Sequence, residues 1–346
     1  MSKQNKSQNN LPSNPVNRAK SLADRLEQAP LADALRDFGC KLQCRASGQS
    51  LHWPSPIFSR IALDTANSPT WLPTLDRLRS RCGVSIIGPQ LRNSQSQSDH
   101  LGSGADRSLD DGLSIQPVFV DEPIGFDALM HAEQIELQFF PSRAQTSRNL
   151  SNSDNMAFTA DDWIPTLPSD LTDIEKMSKR IELLRSASDQ PTVVVGGAIS
   201  AGQVYNDVRF LVDSGVDYIS IVSQAAAGGS PPKIWNFQPV DFVIEQALGA
   251  IAKSGVPGVS LHICSSIHTA EDAVALLSTG VDAFSIDTWL IHQQATTPSS
   301  GNSSEDLGSF MGSYARTSTP ALNDSVLVAT QSFLKDFKAL RRFYEV

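Results

Sequence analysis

The first stretch that could do chemistry is a short apolar run followed by a loop of very small residues. Tyr218–Val222 has the length and β-branched content of a buried parallel strand. The next residues, 223–230, have almost no side-chain bulk, so a ligand could approach the backbone closely. Ligands of parallel α/β proteins sit where strands end. We therefore interpret this loop as a candidate cofactor site, unless it is only a connecting turn; its assigned residues are Gln224, Gly228, Gly229 and Ser230.

A second candidate site lies at the ends of two later apolar runs, residues 259–263 and 283–286. The first of these runs leads into small polar residues and then a helix start, where Thr269 and Asp272 have the spacing of a capping box. The backbone N–H groups of such a loop can bind an anion together with the helix N-terminus, so a phosphorylated ligand is expected. The residues assigned to this site are Ser265, Ser266, Ile267, His268, Asp287 and Thr288.

The charges within this second site oppose one another. Asp287 would repel a phosphate at close range unless its side chain points away or pairs with a cation such as His268. The hydroxyls of Ser265 and Ser266 can donate hydrogen bonds to a phosphate. Replacement of Asp287 by Gly is therefore expected to strengthen binding of a phosphorylated cofactor. Another histidine, His262, falls inside a predicted strand, where a packed residue is a more usual interpretation than a catalytic base.

Eight apolar, β-rich runs provide the elements that must position these residues. Helical periodicity separates most of them, and the runs are mainly apolar, as is typical of parallel strands that are buried on both faces. Eight strand–helix units predict an α/β fold, a single (β/α)8 TIM barrel with a helical N-terminal extension. The predicted strands are residues 57–63, 84–87, 115–120, 135–139, 192–195, 218–222, 259–263 and 283–286.

The chain outside these units divides by composition. Residues 1–18 are rich in Asn, Gln and Ser and predict a disordered tail. Residues 19–53 predict a helical extension that covers one end of the barrel or binds a partner, and the barrel itself is assigned to 54–346. Polar insertions near 90–112, 142–162 and 293–323 predict flexible loops. A last amphipathic helix, predicted over 325–343, should pack on the barrel wall.

Composition limits the classes of partner. The chain has 28 Lys and Arg against 37 Asp and Glu, a formal net charge of −9, which argues against a nucleic acid or an anionic membrane as the main partner. Its four cysteines form no convincing metal or disulfide pattern, although Cys40 and Cys44 alone could contact a metal. We therefore expect a cytoplasmic protein with a small-molecule substrate and no membrane span, and leave its oligomeric state open.

From about Ile115 to Ile291 the chain resembles the flavin-binding domain of glutamate synthases. The resemblance is carried by the strand and glycine-rich loop of 215–231, the segment 132–137 and the helix–strand unit of 173–195. It implies an FMN cofactor and an oxidoreductase, in which reduced flavin passes electrons to the 2-iminoglutarate formed from 2-oxoglutarate and ammonia. It also places Gly196 and Gly197 in the cofactor site, on the strand where the family carries a flavin-contacting lysine.

Several positions differ from that family. Gln138 stands where another family lysine is expected, although a cation should stabilise the charge of reduced flavin. Residues 264–266 replace an Asp-Gly-Gly phosphate loop, and Asp287 with Thr288 replaces a Gly-Thr. No cysteine follows Cys264, so no iron–sulfur cluster is expected. A competing hypothesis is therefore a barrel that has lost catalysis and serves as a binding or scaffolding protein.

A weaker resemblance links the loop of 223–230 to nitronate monooxygenases. It has the order of small residues found in that family's loop, but Ser230 stands where the family has its catalytic histidine. The sequence thus leaves open a nitronate monooxygenase-like flavoenzyme as a further alternative.

Overall fold

The computed structural model describes residues 39–63, 68–88, 112–120, 125–139, 173–222, 238–296 and 320–344. The predicted disordered tail and the part of the extension before residue 39 lie outside the described residues. So do the insertion at 142–162 and all of the insertion at 90–112 except Gly112.

Eight parallel strands close into a barrel, as the sequence predicted. Each strand pairs with its neighbour in chain order, and the last pairs with the first to complete the ring. The fold class is therefore a (β/α)8 barrel. The strands are β3 (Ile57–Ser59), β4 (Ser85–Ile87), β5 (Ser114–Phe119), β6 (Gln134–Gln138), β7 (Val194–Ser200), β8 (Tyr218–Val222), β9 (Ser260–Cys264) and β10 (Ala283–Ser285).

A β-hairpin precedes the barrel, where the sequence predicted helix as far as residue 53. Its strands, β1 (Cys40–Gln43) and β2 (Ser50–Trp53), pair antiparallel, and Gly48 between them has a positive φ of 71°. Leu42 and Trp53 turn inward and are fully buried, so the hairpin is held by packing on the barrel. The prediction was wrong here because two four-residue strands are too short to produce a periodicity that can be told from irregular chain.

Asp217 attaches this hairpin to the amino-terminal end of the barrel. Its carboxylate accepts hydrogen bonds from the backbone N–H groups of Arg45, at 2.8 Å, and Val195, at 2.7 Å, and pairs with Arg185 at 2.8 Å. Gly215 ends the preceding helix with φ of 104°, a left-handed conformation that favours glycine at a helix C-terminus. The hairpin therefore covers the end of the barrel opposite the predicted sites.

The surrounding helices follow the strands in the expected order. The loop predicted over 293–323 is helical at both ends, because one helix, Asp287–Thr296, extends into it and the last helix, Pro320–Tyr344, begins within it. Asp287 and Thr288, predicted in a loop, are the first two residues of the former helix. Among the described helices none has the length and apolar content needed to cross a bilayer. The helices are α1 (Ser68–Cys82), α2 (Phe126–Met130), α3 (Ile174–Ser186), α4 (Val204–Ser214), α5 (Val240–Ser254), α6 (Ala270–Ser278), α7 (Asp287–Thr296) and α8 (Pro320–Tyr344).

Candidate functional site

Aromatic rings fill the barrel interior directly above the hairpin. His262 of β9 lies between Trp53 and Tyr218, with ring centroids 4.9 Å and 4.6 Å away, and the Tyr218 ring is stacked on it. The Trp53 indole N–H donates a 2.8 Å hydrogen bond to the side-chain oxygen of Gln134 in β6. Burial, and then the Arg60 charge, lower the pKa of His262 to about 3, so its imidazole is neutral near pH 7. His262 is thus a packed residue rather than a base.

Two glycines that were predicted to bind the cofactor are explained by packing. Gly196 is paired with Glu136 on one side and with Tyr218 on the other. A Cβ on Gly196 would lie 2.1 Å from Cζ of Tyr218, so the missing side chain lets the tyrosine ring cross β7. Gly197 faces the opposite way, and its Cβ would meet the Leu211 side chain in the helical layer at 2.8 Å. Gly197 therefore points away from the barrel interior.

A buried ion pair occupies the upper part of the interior, towards the carboxyl ends of the strands. Arg60 follows β3, and its Nη1 lies 2.5 Å from Oε1 of Glu136. Only 2% of the Arg60 side chain and none of the Glu136 side chain is exposed. The Arg60 Nη2 donates to the side-chain oxygen of Gln138, whose amide nitrogen in turn donates to Glu136 Oε1 at 2.7 Å. Arg60, Glu136 and Gln138 thus form one connected group.

The charge of Arg60 persists in this environment. Burial lowers the pKa of its guanidinium, but the Glu136 carboxylate offsets this effect, and the pKa lies above its ordinary value. Burial raises the pKa of the nearby Cys264 thiol to about 12, against the lowering influence of Arg60. Cys264 is therefore a neutral thiol, not a nucleophile. The interior at this level offers a fixed cation and hydrogen-bonding groups.

The Asp287 carboxylate is held by hydrogen bonds from the end of β3. Its carboxylate accepts a 2.6 Å hydrogen bond from the Ser59 hydroxyl and a 3.0 Å hydrogen bond from the backbone N–H of Arg60. Burial raises its pKa, while these hydrogen bonds act in the other direction. Because β3 and β10 are the strands that close the barrel, Asp287 joins the two sides of that closure. The suggested pairing with His268 is not made, since the carboxylate is engaged with β3.

The loop after β9 has the predicted helix cap but fewer groups for an anion than expected. The Asp272 carboxylate accepts the backbone N–H groups of His268, at 3.0 Å, and Thr269, at 2.9 Å, and the Thr269 hydroxyl accepts from Asp272 N–H. The capping box is thus confirmed. It directs a carboxylate onto the helix N-terminus, so an incoming anion would have to rely on the earlier loop residues, Ser265 to Ile267.

Some of the other predicted site residues lie in this loop or beside it, and the rest lie outside the described residues. Ser265 and Ser266 are partly exposed, Ile267 is buried and His268 is exposed, with its ring 6.4 Å from that of His292. Thr288 is the second residue of α7, which follows β10, and β10 pairs with β9, the strand that precedes this loop. The predicted residues Gln224, Gly228, Gly229 and Ser230 lie outside the described residues.

Sequence reasoning missed Arg60 and Glu136 as a pair. One signal was available, because β6 alternates Gln134, Glu136 and Gln138 where a buried parallel strand is normally apolar throughout. Three polar residues on one face of a barrel strand indicate a polar interior. Arg60 itself is a single residue after a three-residue strand, with no pattern to identify it.

Comparison with known proteins gives a likeness in fold but no family. No protein-family model matches the chain, and no curated protein sequence matches it. A solved mandelate oxidase mutant with 3,3,3-trifluoro-2,2-dihydroxypropanoic acid is 15% identical, with a TM-score of 0.48 over 93% of this chain and 84% of that one. Mandelate oxidase with (S)-2-phenylpropionate is 13% identical, with a TM-score of 0.47 over 89% of this chain and 78% of that one. The chain itself is a closed (β/α)8 barrel with a buried cation near the carboxyl ends of its strands.

Proposed function

We propose that this chain is an FMN-dependent oxidoreductase of the glutamate synthase type, acting at the carboxyl end of the barrel. The observation that carries the proposal is the buried guanidinium of Arg60 at Gln138. Gln138 stands where the glutamate synthase resemblance expects a lysine, and Arg60 brings a cation to that position from another strand. The proposed reaction is the reductive formation of glutamate from 2-oxoglutarate and ammonia or glutamine, in the cytoplasm.

The electrostatic reason concerns reduced flavin. Its N1/C2 region gains negative charge on reduction, and a fixed cation in a water-excluded site stabilises that charge more strongly than it would in water. A buried ion pair is also costly, because two charges lose their hydration. Because the Arg60–Glu136 pair lies at the ligand-binding end of the barrel, we infer that the positive charge of Arg60 contributes to cofactor binding.

The described residues fit FMN in part. Arg60 and Gln138 would face the flavin ring system, and the backbone of residues 265–267, the hydroxyls of Ser265 and Ser266 and the N–H of Thr288 would hold the phosphate. FMN supplies the electron-transfer chemistry when it is bound. The chain's own groups would orient it and exclude water, while Asp272 keeps the α6 N-terminus from contributing fully to the phosphate.

Two observations favour a barrel that binds a ligand without catalysis. Glu136 already compensates the charge of Arg60, and Asp272 already accepts the first N–H groups before α6. Both reduce the positive potential available to an anionic cofactor. The nitronate monooxygenase-like alternative depends on the loop at 223–230, which lies outside the described residues.

An FMN titration separates these possibilities. We expect the purified protein to absorb at about 450 nm, as an oxidised flavin does, or to acquire that absorbance band on addition of FMN. Arg60→Gln should weaken FMN binding by about tenfold or more, because a charge-assisted contact contributes about 1.5–3 kcal/mol. Arg209→Gln is a matched control, since Arg209 lies on α4 with 46% of its side chain exposed, and it should leave the affinity unchanged. A wild-type protein that takes up no FMN would support the ligand-binding alternative.

A further inference from the structure

Tyr218 lies inside the barrel in the same row of paired residues as Glu136. Gly196 of β7 is paired with Glu136 of β6 on one side and with Tyr218 of β8 on the other, so the row crosses three adjacent strands. Because Gly196 has no side chain, the Tyr218 ring crosses β7 with Cζ over this glycine, and its hydroxyl extends towards β6. The strand register thus brings a phenol to a buried carboxylate.

The Tyr218 hydroxyl is hydrogen-bonded to the side chains of Glu136 and Gln134. The Glu136 carboxylate, which pairs with Arg60, can only accept, so the hydroxyl donates its proton to Glu136. The Gln134 oxygen accepts from the Trp53 indole at 2.8 Å, which leaves the Gln134 amide nitrogen to donate to the Tyr218 oxygen. The hydrogen bonds therefore run in one direction, from the Trp53 indole through Gln134 and Tyr218 to Glu136.

Packing fixes the position of the Tyr218 ring independently of its hydroxyl. The ring is fully buried, His262 is stacked on it at 4.6 Å, and the backbone of Gly196 lies against it. Burial, and then the Glu136 charge, raise the pKa of Tyr218 well above its ordinary value, so the hydroxyl keeps its proton. Tyr218→Phe should therefore leave the ring in place and remove only the hydrogen-bonding group.

The Glu136 carboxylate is thus contacted from both ends of the barrel interior. On the side of the strands' carboxyl ends, it accepts from Arg60 Nη1 at 2.5 Å and from the Gln138 amide at 2.7 Å. On the other side, it accepts from Tyr218, whose O–H dipole has its positive end towards the carboxylate. A donated hydrogen bond stabilises the negative charge of Glu136, and Glu136 then compensates the Arg60 charge less fully. More positive potential remains at the carboxyl ends of the strands.

We propose that Tyr218 is a positioning residue of the carboxyl-end site: its hydroxyl orients the Glu136 carboxylate and so sets the geometry and the available charge of Arg60. The effect on a ligand rests on the proposed function, in which Arg60 stabilises reduced FMN. The effect on Glu136 and Arg60 belongs to the protein without a ligand, and it can be measured there.

NMR spectra of protein labelled with ¹³C at tyrosine Cζ test the contact with Glu136. The chain has four tyrosines, so the spectrum is simple, and Tyr218→Phe identifies the Tyr218 resonance by its loss. Glu136→Gln should shift that resonance, because the phenol loses a charged acceptor. The resonance of Tyr205, a partly exposed residue of α4, is the internal control and should not move. A Tyr218 resonance that keeps its wild-type position in Glu136→Gln would overturn the proposal.

The ¹⁵N resonances of the Arg60 guanidinium test the positioning role in a variant that should fold normally. They are identified by their loss in Arg60→Lys. Tyr218→Phe should shift them, because the carboxylate that holds Arg60 loses a donor, whereas Tyr205→Phe, the matched control, should not. Arg60 resonances that are the same in Tyr218→Phe and in the wild type would overturn the proposal.

FMN binding then tests the consequence for the ligand. Tyr218→Phe should weaken FMN binding by about two- to tenfold, the range of a single hydrogen bond, and should lower the midpoint potential of the bound flavin. Tyr205→Phe should change neither quantity. Shifted Arg60 resonances with unchanged affinity and potential would overturn the effect on the available charge. A wild-type protein that binds no FMN would refute the proposed function, while the Arg60 resonances would still decide the positioning role.

Discussion

The buried pair of Arg60 and Glu136 predicts a large and specific loss of stability when one partner is neutralised. Glu136→Gln keeps the size of the side chain and an oxygen that can accept from Arg60, but it removes the compensating charge. Because the two side chains are 2% and 0% exposed, solvent cannot screen the cation that remains. Loss of one partner of such a pair costs about 3–5 kcal/mol. We expect a loss of that size in the free energy of unfolding.

Urea unfolding at pH 7.5 measures this loss, and a double-mutant cycle assigns it to the pair. The double variant Arg60→Met with Glu136→Gln should recover part of the stability, since no uncompensated charge stays buried. The exposed pair of Lys179 and Glu175, 67% and 77% exposed, provides the control cycle, where the coupling should stay below about 1 kcal/mol. A loss under about 1 kcal/mol for Glu136→Gln, with additive effects in the cycle, would refute a buried, charged pair.

Three other predictions concern pH and packing. The pKa of His262 is 6.5 in the unfolded chain and about 3 in the folded chain, so the unfolded chain binds the proton more readily. The free energy of unfolding should therefore fall as the pH drops from 6.5 to about 3. Urea unfolding at several pH values should show this fall for the wild type and a flatter profile for His262→Gln. Asp287→Gly should lower the melting temperature rather than strengthen FMN binding. The variant lacks the carboxylate that accepts hydrogen bonds from Ser59 and the Arg60 backbone across the barrel closure. Tighter FMN binding without loss of stability would contradict this role. Gly196→Ala should lower the free energy of unfolding by about 1–3 kcal/mol, because its Cβ would overlap the Tyr218 ring. Gly249→Ala is the control and should not destabilise the fold, since its Cβ would have only an ordinary contact at 4.0 Å. Equal denaturation midpoints for the two variants would contradict the packing explanation for Gly196.

The fold could be predicted from the sequence because its signals are local and repeated. Eight apolar runs separated by helical periodicity leave few arrangements other than a closed barrel. The capping box at Thr269 could be predicted for the same reason, since its two residues lie only three positions apart. The hairpin that includes Trp53 was missed because its short strands are defined by packing on the barrel end.

The polar interior could not be predicted in the same way, because its contacts join distant parts of the chain. Arg60 reaches Glu136 across 76 positions, and its backbone meets Asp287 across 227 positions. Sequence reasoning noticed that Gln138 lacks the expected lysine charge, but not that another strand could bring a cation to it. Asp287 was predicted to face a phosphate because its partner was not evident from the sequence. That partner, Ser59, is 228 positions away along the chain but adjacent to Asp287 in the folded barrel.

The reduction potential of bound FMN tests most directly whether Arg60 supports a reduced flavin. We expect the two-electron midpoint potential to be higher in the wild type and in Arg60→Lys than in Arg60→Gln, by about 30 mV for each tenfold difference in the stabilisation of reduced over oxidised flavin. Potentials that do not differ between Arg60→Gln and the wild type, or a wild-type protein that binds no FMN, would contradict the account.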